Sequence, residues 1–249
     1  MGAYTPKSSG LVSTSFMVVA ILVLATTSLA QTRPPVLEQL AKMYGLDSFS
    51  QVEAVRYTFN LQHSGSNLSR SWVWEPKTAK ISYEGKDKDG KPVKVTFVQS
   101  ELNGESPAVK ERIDWFFVND HYWMFLPFHV YWDWPGADVQ DKGMQKLPLG
   151  NGSAKLMVIK YPKAGYTPGD TWDLYLGPDS RIVEMVYHRG DPKSTVPGLV
   201  KVTWAGYKKA GPLLFATEHR GTADGKPIRL FFSNVAVKLT GSESWIDAH

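Results

Sequence analysis

From about Gln51 to the C-terminus, apolar and polar residues alternate with a period of two, and large aromatic side chains occupy many of the apolar positions. All nine tryptophans lie in this stretch: Trp72, Trp74, Trp115, Trp123, Trp132, Trp134, Trp172, Trp204 and Trp245. The alternation predicts half-buried antiparallel strands. A curved sheet with this much ring surface on one face has to bury it against itself, against a helix or against an apolar ligand.

The alternation continues through about ten segments joined by polar turns, beginning with residues 55–61. Asp89-Gly90 and Asp224-Gly225 predict tight hairpin turns. Near Ser233-Asn234 the apolar phase shifts by one residue, which predicts a bulge that bends the sheet. Because a sheet of ten antiparallel strands curls, we expect a mostly β fold in which a curved antiparallel sheet forms an unclosed half-barrel.

Two segments have helical spacing and are predicted to cover the half-barrel. Residues 36–44 carry an apolar stripe that ends before Gly45, a C-cap position. Residues 107–118 form the second predicted helix, with Ser106 as its N-cap and Pro107 at its first position. The aromatic run after it leads into residues 133–152, which we interpret as a long loop or lid.

The N-terminal residues 1–30 have the features of a cleavable signal peptide. An apolar core at residues 16–25 follows Lys7, and Ser28 and Ala30 are the small residues of a cleavage site. An uncleaved anchor is the alternative, since residues 11–30 could just reach the roughly 20 residues of a spanning helix. We expect cleavage near Ala30 and a single domain over residues 31–249.

The overall composition favours a bacterial periplasmic or secreted protein and excludes several classes of function. The sequence contains no cysteine, which excludes disulfides and thiol catalysis, and a secreted eukaryotic domain would often carry disulfides. The formal charge is +4, and the basic residues are scattered among acids. We therefore predict no nucleic-acid partner.

Residues that could carry catalysis or hold a metal lack a diagnostic arrangement. No Gly-x-Ser-x-Gly motif is present. The histidines show no His-x-His or His-Glu-x-x-His spacing, although His121 and His129 could form a site with a nearby aspartate. Asp133 with Asp114 or Asp173 could act as a pair of glycosidase acids. Acids beside Trp more often cap loops, so we predict no enzyme, no metal and no cofactor.

In its order of elements, the chain resembles the periplasmic lipoprotein-carrier family of the LolA and LolB type. The resemblance covers roughly residues 36–239: an N-terminal helix, a meander, a mid-chain helix and loop, and a second meander. It implies an unclosed β-barrel with helices over its mouth and an apolar cavity for acyl chains. The family's gating arginine has no fixed counterpart, because Arg56 and Arg70 lie on early strands whose register the sequence leaves open.

A more local resemblance is to uncharacterised secreted bacterial proteins that are often grouped with outer-membrane lipoprotein-sorting proteins. It runs from the segment at 161–170 to Tyr187-His-Arg-Gly190. The residues that carry it between these ends are Trp172, Asp173, Tyr175 and Asp179. This resemblance supports an envelope protein and implies no activity.

The aromatic residues of the sheet and of the second helix are the predicted ligand-binding residues, as cavity lining or lid. They are Trp72, Trp74, Phe97, Phe116, Phe117, Trp123, Trp172, Trp204 and Phe232. Two interpretations stay open: the rings fill a core under the helices, each contributing ~2 kcal/mol of burial, or they line a cavity, with Phe116-Phe117 and residues 123–134 as the lid.

We favour the cavity, and predict an exported, non-enzymatic, monomeric protein that binds an apolar or acyl ligand or a lipoprotein. Transient contact with a membrane or another envelope component is part of this hypothesis. One alternative is a carbohydrate-binding or glycan-processing module that stacks sugars on the tryptophans. The other is a structural envelope protein with a filled core.

Overall fold

The structure, a computed structural model, describes residues 33–87, 89–161, 168–191, 193 and 198–249. The residues from 33 onward belong to one compact unit. The predicted signal peptide lies outside the described residues, as do residues 162–167 of the segment that resembles secreted bacterial proteins.

The described chain is dominated by one antiparallel sheet of thirteen strands, more than the ten or so predicted. The strands are β1 Val52–His63, β2 Ser66–Glu75, β3 Lys80–Lys86, β4 Pro92–Val98, β5 Asp138–Lys146, β6 Ser153–Lys160, β7 Thr171–Leu176, β8 Ile182–His188, β9 Leu199–Thr203, β10 Ala205–Ala210, β11 Leu213–Ala223, β12 Lys226–Leu239 and β13 Trp245–Asp247.

The strand order is β4-β3-β2-β1-β12-β11-β9-β8-β7-β6-β5, with β10 added beside β11 and β13 beside β12. The two meanders are joined where β1, early in the chain, pairs with β12, near its end. The curved sheet does not close into a barrel, and β4 and β5 form its two ends. The predicted unclosed half-barrel is confirmed.

The predicted turn at Asp224-Gly225 and the predicted bulge have the expected geometry. Asp224 and Gly225 join β11 to β12 with φ angles of 46° and 80°, the left-handed values that a tight hairpin requires. On β12 the register shifts between Ala236, opposite Arg56, and Ser233, opposite Thr58. This leaves an extra residue on β12, so the expected bulge is confirmed.

Helix α1 spans Pro35–Met43 and confirms the first predicted helix. Its apolar stripe is buried through Leu37, Leu40 and Ala41. Gly45 follows with φ 107°, and a side chain there would collide with the Pro212 carbonyl oxygen, 2.4 Å from an added Cβ. Glycine is therefore required at this helix end for both conformation and space.

Helix α2 spans Asp114–Trp132 and is longer than predicted, because it includes the aromatic run. A π-helical turn, Val109–Ile113, precedes it, and the Ser106 hydroxyl accepts a hydrogen bond from the Val109 N–H at 3.4 Å. Phe125 has non-helical angles (φ −114°, ψ 17°), since Pro127 lacks an N–H and its ring crowds the preceding turn. The helix is therefore bent near its middle.

Three short 3₁₀ segments complete the described fold: Leu46–Gln51, Gln99–Gly104 and Trp134–Gly136. The interpretation of residues 133–152 as a loop or lid is wrong, because β5 occupies the middle of this segment and pairs with β6. β5 is almost entirely exposed and carries charged and amide residues. The apolar alternation that reveals a half-buried strand is therefore missing from it.

Helix α2 lies on one face of the sheet, which we call the inner face. Tyr57, Trp72, Trp172 and Phe215, from four different strands, point from this face to aromatic rings of α2, with ring centroids 5.4–6.3 Å apart. Phe125 at the centre of α2 is fully buried. The helix therefore packs inside the half-barrel, where it buries apolar surface on all sides.

Candidate functional site

The structure brings most of the predicted ligand-binding residues together around α2. Seven of the nine are buried: Trp72, Phe97, Phe117, Trp123, Trp172, Trp204 and Phe232. Trp74 and Phe116 are half-buried. Phe97 lies on the end strand β4, opposite Ile81. Whether these rings bind a ligand stays a prediction.

The tryptophans predicted as possible sugar platforms differ in exposure, and Trp74, Trp132, Trp134 and Trp245 are half-buried. Trp72, Trp172 and Trp204 are at most 3% exposed, so their ring faces are covered by protein. Trp115 is 43% exposed, but it lies at the start of α2 and packs beside Phe116.

A buried ion pair joins the inner face to α2. The Arg70 guanidinium on β2 donates two hydrogen bonds to the Asp120 carboxylate on α2, at 2.7 and 2.5 Å. The Trp72 indole N–H donates to the same carboxylate at 2.9 Å, and Asn119 adds a bond at 3.0 Å. Burial raises the pKa of the Asp120 carboxyl, and the Arg70 charge opposes this effect. We call this arrangement the latch.

The latch settles which of the two early arginines contacts the covering helix. Arg70 is 5% exposed, and its guanidinium lies over the Phe116 ring at 4.3 Å. Arg56 instead pairs with Asp247 near the C-terminus at 2.8 Å and is 39% exposed. The sequence did not distinguish them, because the strand register that places Arg70 opposite α2 is a tertiary feature.

A chain of polar side chains runs along α2 itself. The Tyr122 hydroxyl donates to Asp133 at 2.6 Å, and the His129 Nδ1 contacts the same carboxylate at 2.7 Å. His129 Nε2 is 2.8 Å from His121 Nδ1. Burial, and then the neighbouring His129, lower the pKa of His121 well below its usual range. Folding therefore disfavours protonation of His121.

The acids considered for glycosidase chemistry have separate partners. Asp133 belongs to the polar chain of α2, and Asp173 bonds to His188 at 2.9 Å. Asp114 accepts a hydrogen bond from the Gln99 amide at 2.9 Å. In the part of the chain that the structure describes, no group of three or more His, Asp or Glu side chains could hold a metal ion.

A cleft of about 470 Å³ lies beside the latch, and we call it the mouth. Leu61 and Leu68, cross-strand neighbours on β1 and β2, supply apolar surface, and Leu68 is 36% exposed. Phe116 adds an aromatic ring, and Arg70 and Arg112 add positive charge. The mouth therefore combines an apolar strip with cations at one end of the half-barrel.

The remaining residues that line the mouth are mostly polar: Asn60, Gln62, Asn67, Ser69, Tyr83, Lys86, Asp87, Gly90 and Phe231. Leu61, Leu68 and Arg112 are absent from the residues predicted from sequence. The sequence alternation on β1 and β2 places both leucines on the inner face, so this alternation could have identified them as candidate site residues. No sequence pattern identifies Arg112 as a site residue, because only the fold brings it close to residues of the strands.

A second, larger cleft of about 710 Å³ lies mostly among outward-facing polar residues. Thr58 and Ser71 share a hydrogen bond at 2.9 Å within it, and Asn234 at the bulge donates to Thr58 at 3.3 Å. Arg56 and Asp247, already paired, also line this cleft. Its polar groups are thus largely bonded to one another.

No protein-family model matches the chain, and no curated protein matches it. Among solved structures, it aligns with a DUF1329 family protein from Desulfovibrio piger at 10% identity and a TM-score of 0.43, covering 84% of this chain and 94% of that one. It also aligns with MucB in the Pseudomonas aeruginosa MucA/MucB complex, at 12% identity and a TM-score of 0.25, covering 81% and 93%.

A further MucB structure, in complex with MucA(peri), aligns at 12% identity and a TM-score of 0.25, over 82% of this chain and 94% of that chain. Alignments this distant carry no inference about activity, ligand or partner. Among the described residues, no helix is both long and apolar enough to cross a membrane.

Proposed function

We propose that the protein is an exported, non-enzymatic binding protein that holds a lipid-like or acyl ligand between α2 and the inner face of the half-barrel. It works in the periplasm or outside the cell, as the predicted signal peptide implies. It moves an apolar ligand from one buried site to another without making or breaking a covalent bond. The observation that carries the proposal is the mouth, where an apolar strip meets two arginines beside an aromatic interior.

The composition of the mouth suits an amphiphile with a negatively charged head group. Leu61, Leu68 and Phe116 offer apolar surface to the start of an acyl chain. Arg112, whose guanidinium lies 5.3 Å above the Phe116 ring, can pair with a carboxylate or phosphate head group. An anion at this position also lies close to Arg70, the cation of the latch.

The latch links entry at the mouth to access to the inner face. An anionic head group competes with Asp120 for Arg70, and the loss of those hydrogen bonds loosens α2 from β2. The bend at Phe125 and the π-helical turn before Asp114 are the two irregular points where α2 can shift. The acyl chain of the ligand then takes the place of part of α2 and packs against the aromatic residues of the inner face.

Thermal unfolding of delipidated protein with lauric acid or lauroyl lysophosphatidylglycerol, each below its micelle concentration, tests this proposal. A ligand that binds only the folded state stabilises it, by about 2.7 kcal/mol at a hundredfold excess over Kd. We expect a rise in Tm for the wild type and a much smaller rise for Leu68→Asp, which places a negative charge in the mouth.

Met144→Asp is the matched control, because Met144 is an exposed apolar residue on β5, at the other end of the sheet. It should show the same ligand-induced rise as the wild type. If no acyl compound changes the Tm, the proposal is wrong and the filled-core structural protein becomes the better interpretation. Mass spectrometry of molecules extracted from natively purified protein would identify the bound class directly.

A further inference from the structure

The interface between α2 and the sheet holds a concentration of unsatisfied polar groups. Among the described residues, seven buried side-chain nitrogen or oxygen atoms have no hydrogen-bond partner within the protein. Six belong to aromatic rings at this interface: Tyr57, His121, Tyr161, Trp172, Trp204 and His219. Native proteins pair nearly all such atoms, so a cluster at one interface calls for an explanation.

The five of these rings that lie outside α2 each contact a ring of that helix. Tyr57 contacts Phe125 at 6.3 Å, and Tyr161 contacts Tyr122 at 6.1 Å. The remaining three contact Trp123: Trp172 at 5.8 Å, His219 at 6.0 Å and Trp204 at 6.3 Å. Movement of α2 away from a strand therefore uncovers the ring that the helix covers there, so a ligand that replaces part of α2 meets these rings.

Four of the unsatisfied groups can donate a hydrogen bond. The indole N–H groups of Trp172 and Trp204 are donors only, and the hydroxyls of Tyr57 and Tyr161 donate readily. A complementary ligand has to supply acceptor oxygens on an otherwise apolar body. Two carboxylates, Asp120 and Asp133, lie on α2 near the tyrosines, and their charges contribute to raising the pKa of Tyr57 and of Tyr161 above the usual range, after burial itself.

We propose that the inner face recognises ester-linked acyl chains, whose neutral carbonyl oxygens accept hydrogen bonds from Tyr57, Tyr161, Trp172 and Trp204. This inference rests on the proposed function and specifies its ligand. A neutral ester satisfies the donors without placing a second negative charge beside Asp120 and Asp133. A plain hydrocarbon leaves all four donors unpaired. A carboxylate beside these donors is repelled by Asp120 and Asp133, in contrast to a carboxylate at the mouth, which faces Arg112.

Replacing a tyrosine by phenylalanine removes only the hydroxyl and leaves the ring in place. For Tyr57→Phe and Tyr161→Phe, we expect an unchanged or higher Tm without ligand, because an unsatisfied polar group is lost from the interior. The affinity for methyl laurate, delivered from cyclodextrin and followed by Trp fluorescence, should fall by about three- to tenfold per hydroxyl. The affinity for dodecane, delivered in the same way, should not change.

Tyr44→Phe is the matched control, since Tyr44 is as buried as Tyr57 but its hydroxyl is bonded. It pairs with the Tyr207 hydroxyl at 2.7 Å and accepts the Ile182 N–H at 3.2 Å. This variant should have a lower Tm and unchanged affinity for methyl laurate. A hydroxyl that contacts the ligand is thus recognised by weaker binding without a loss of Tm, and a structural hydroxyl by a lower Tm without a loss of binding.

Each failure has its own meaning. If lauric acid, methyl laurate and dodecane all fail to bind, the proposed function is wrong and this inference falls with it. If lauric acid binds and methyl laurate does not, the proposed function stands and this inference alone is overturned. If methyl laurate and dodecane both bind and the tyrosine variants weaken both or neither, an apolar ligand is bound without recognition of the ester. If Tyr57→Phe and Tyr161→Phe lower the Tm as Tyr44→Phe does, buried water satisfies the hydroxyls and the inference is overturned.

Discussion

The two sides of the half-barrel hold α2 by different means. On the β2 side, Arg70 and Trp72 direct their N–H groups to one carboxylate of the helix, Asp120. On the opposite side, Trp172 and Trp204 pack against Trp123 by ring contacts alone, and their indole N–H groups have no partner within the described residues. One side fixes the helix by directional bonds, and the other only covers it.

This difference predicts the order in which contacts of α2 break if the protein binds a ligand as proposed. A hydrogen-bonded ion pair sets the position of α2 relative to β2, whereas apolar packing tolerates sliding and replacement by another apolar body. We therefore expect α2 to stay close to β2 while its contacts with the Trp172 and Trp204 side open first. In the proposed function, an anion at the mouth weakens the latch, and the remaining contacts are ones that an acyl chain can replace.

The largest effect should come from breaking the latch on one side only. Asp120→Leu leaves the Arg70 guanidinium buried without its partner, which costs about 3–5 kcal/mol in comparable cases. Urea unfolding followed by Trp fluorescence measures this loss. The double variant Arg70→Met/Asp120→Leu should recover most of the stability, because it removes both buried charges.

A loss below about 1 kcal/mol for Asp120→Leu would contradict the comparison. It would mean that β2 holds the helix no more firmly than the other side does. The double variant should also show a weaker preference for anionic over neutral ligands, since Arg70 is gone from the mouth while Arg112 remains there. Thermal shifts with lauric acid and methyl laurate, measured in parallel, check this second point.

The second effect is a pH dependence that originates on the loosely held side. Burial lowers the pKa of His219 from 6.5 to about 4, although its Nδ1 lies 3.3 Å from the Thr203 carbonyl oxygen and Glu218 is nearby. The unfolded chain takes up a proton near 6.5 and the folded protein does not. Stability is therefore complete above about pH 6.5 and falls as the pH drops towards 4.

The size of this effect follows from the shift in pKa. At about 1.4 kcal/mol per unit, the difference amounts to about 3 kcal/mol once the pH is near 4. Urea unfolding measured at several pH values across this range should show that the free energy of unfolding depends less on pH in His219→Gln than in the wild type, because glutamine does not titrate. Some dependence of stability on pH should remain, because burial also lowers the pKa of His121. If the free energy of unfolding changes equally with pH in both proteins, His219 is solvated in the folded state.

The fold could be predicted from the sequence because its strongest signals are local. Period-two alternation, the phase shift at Ser233-Asn234 and the turn at Asp224-Gly225 each act over a few residues, and together they specify a bent antiparallel sheet. β5 escaped prediction because it is an exposed strand at the end of the sheet and carries no apolar alternation. The length of α2 escaped because the aromatic run after residue 118 is buried on several sides of the helix and so lacks the one-sided apolar stripe that reveals a helix.

The site was less accessible to sequence reasoning, because it depends on contacts between distant residues. The aromatic residues were found by their positions on the strands, and seven of the nine are buried. The pairing of Arg70 with Asp120 joins residues fifty positions apart. Nothing local distinguishes Arg70 from Arg56, which makes a similar bond on the surface. Only the register of β2 against α2 reveals the latch.

The smallest effect should come from that surface pair, which has the same chemistry as the latch. Arg56 Nη2 lies 2.8 Å from Asp247 Oδ1, but the two side chains are 39% and 75% exposed. Solvent screens an exposed pair, so Asp247→Asn should cost no more than about 0.5 kcal/mol, and added salt should change the wild type equally little.

Urea unfolding of Asp247→Asn beside Asp120→Leu isolates the contribution of burial from that of the bond itself. A cost above about 1 kcal/mol for the surface pair would mean that Arg56 fixes β13 as firmly as Arg70 fixes α2. The latch would then be one of two comparable anchors. If Asp247→Asn loses almost no stability, burial is the reason why the Arg70 pair holds α2 firmly while the Arg56 pair contributes little.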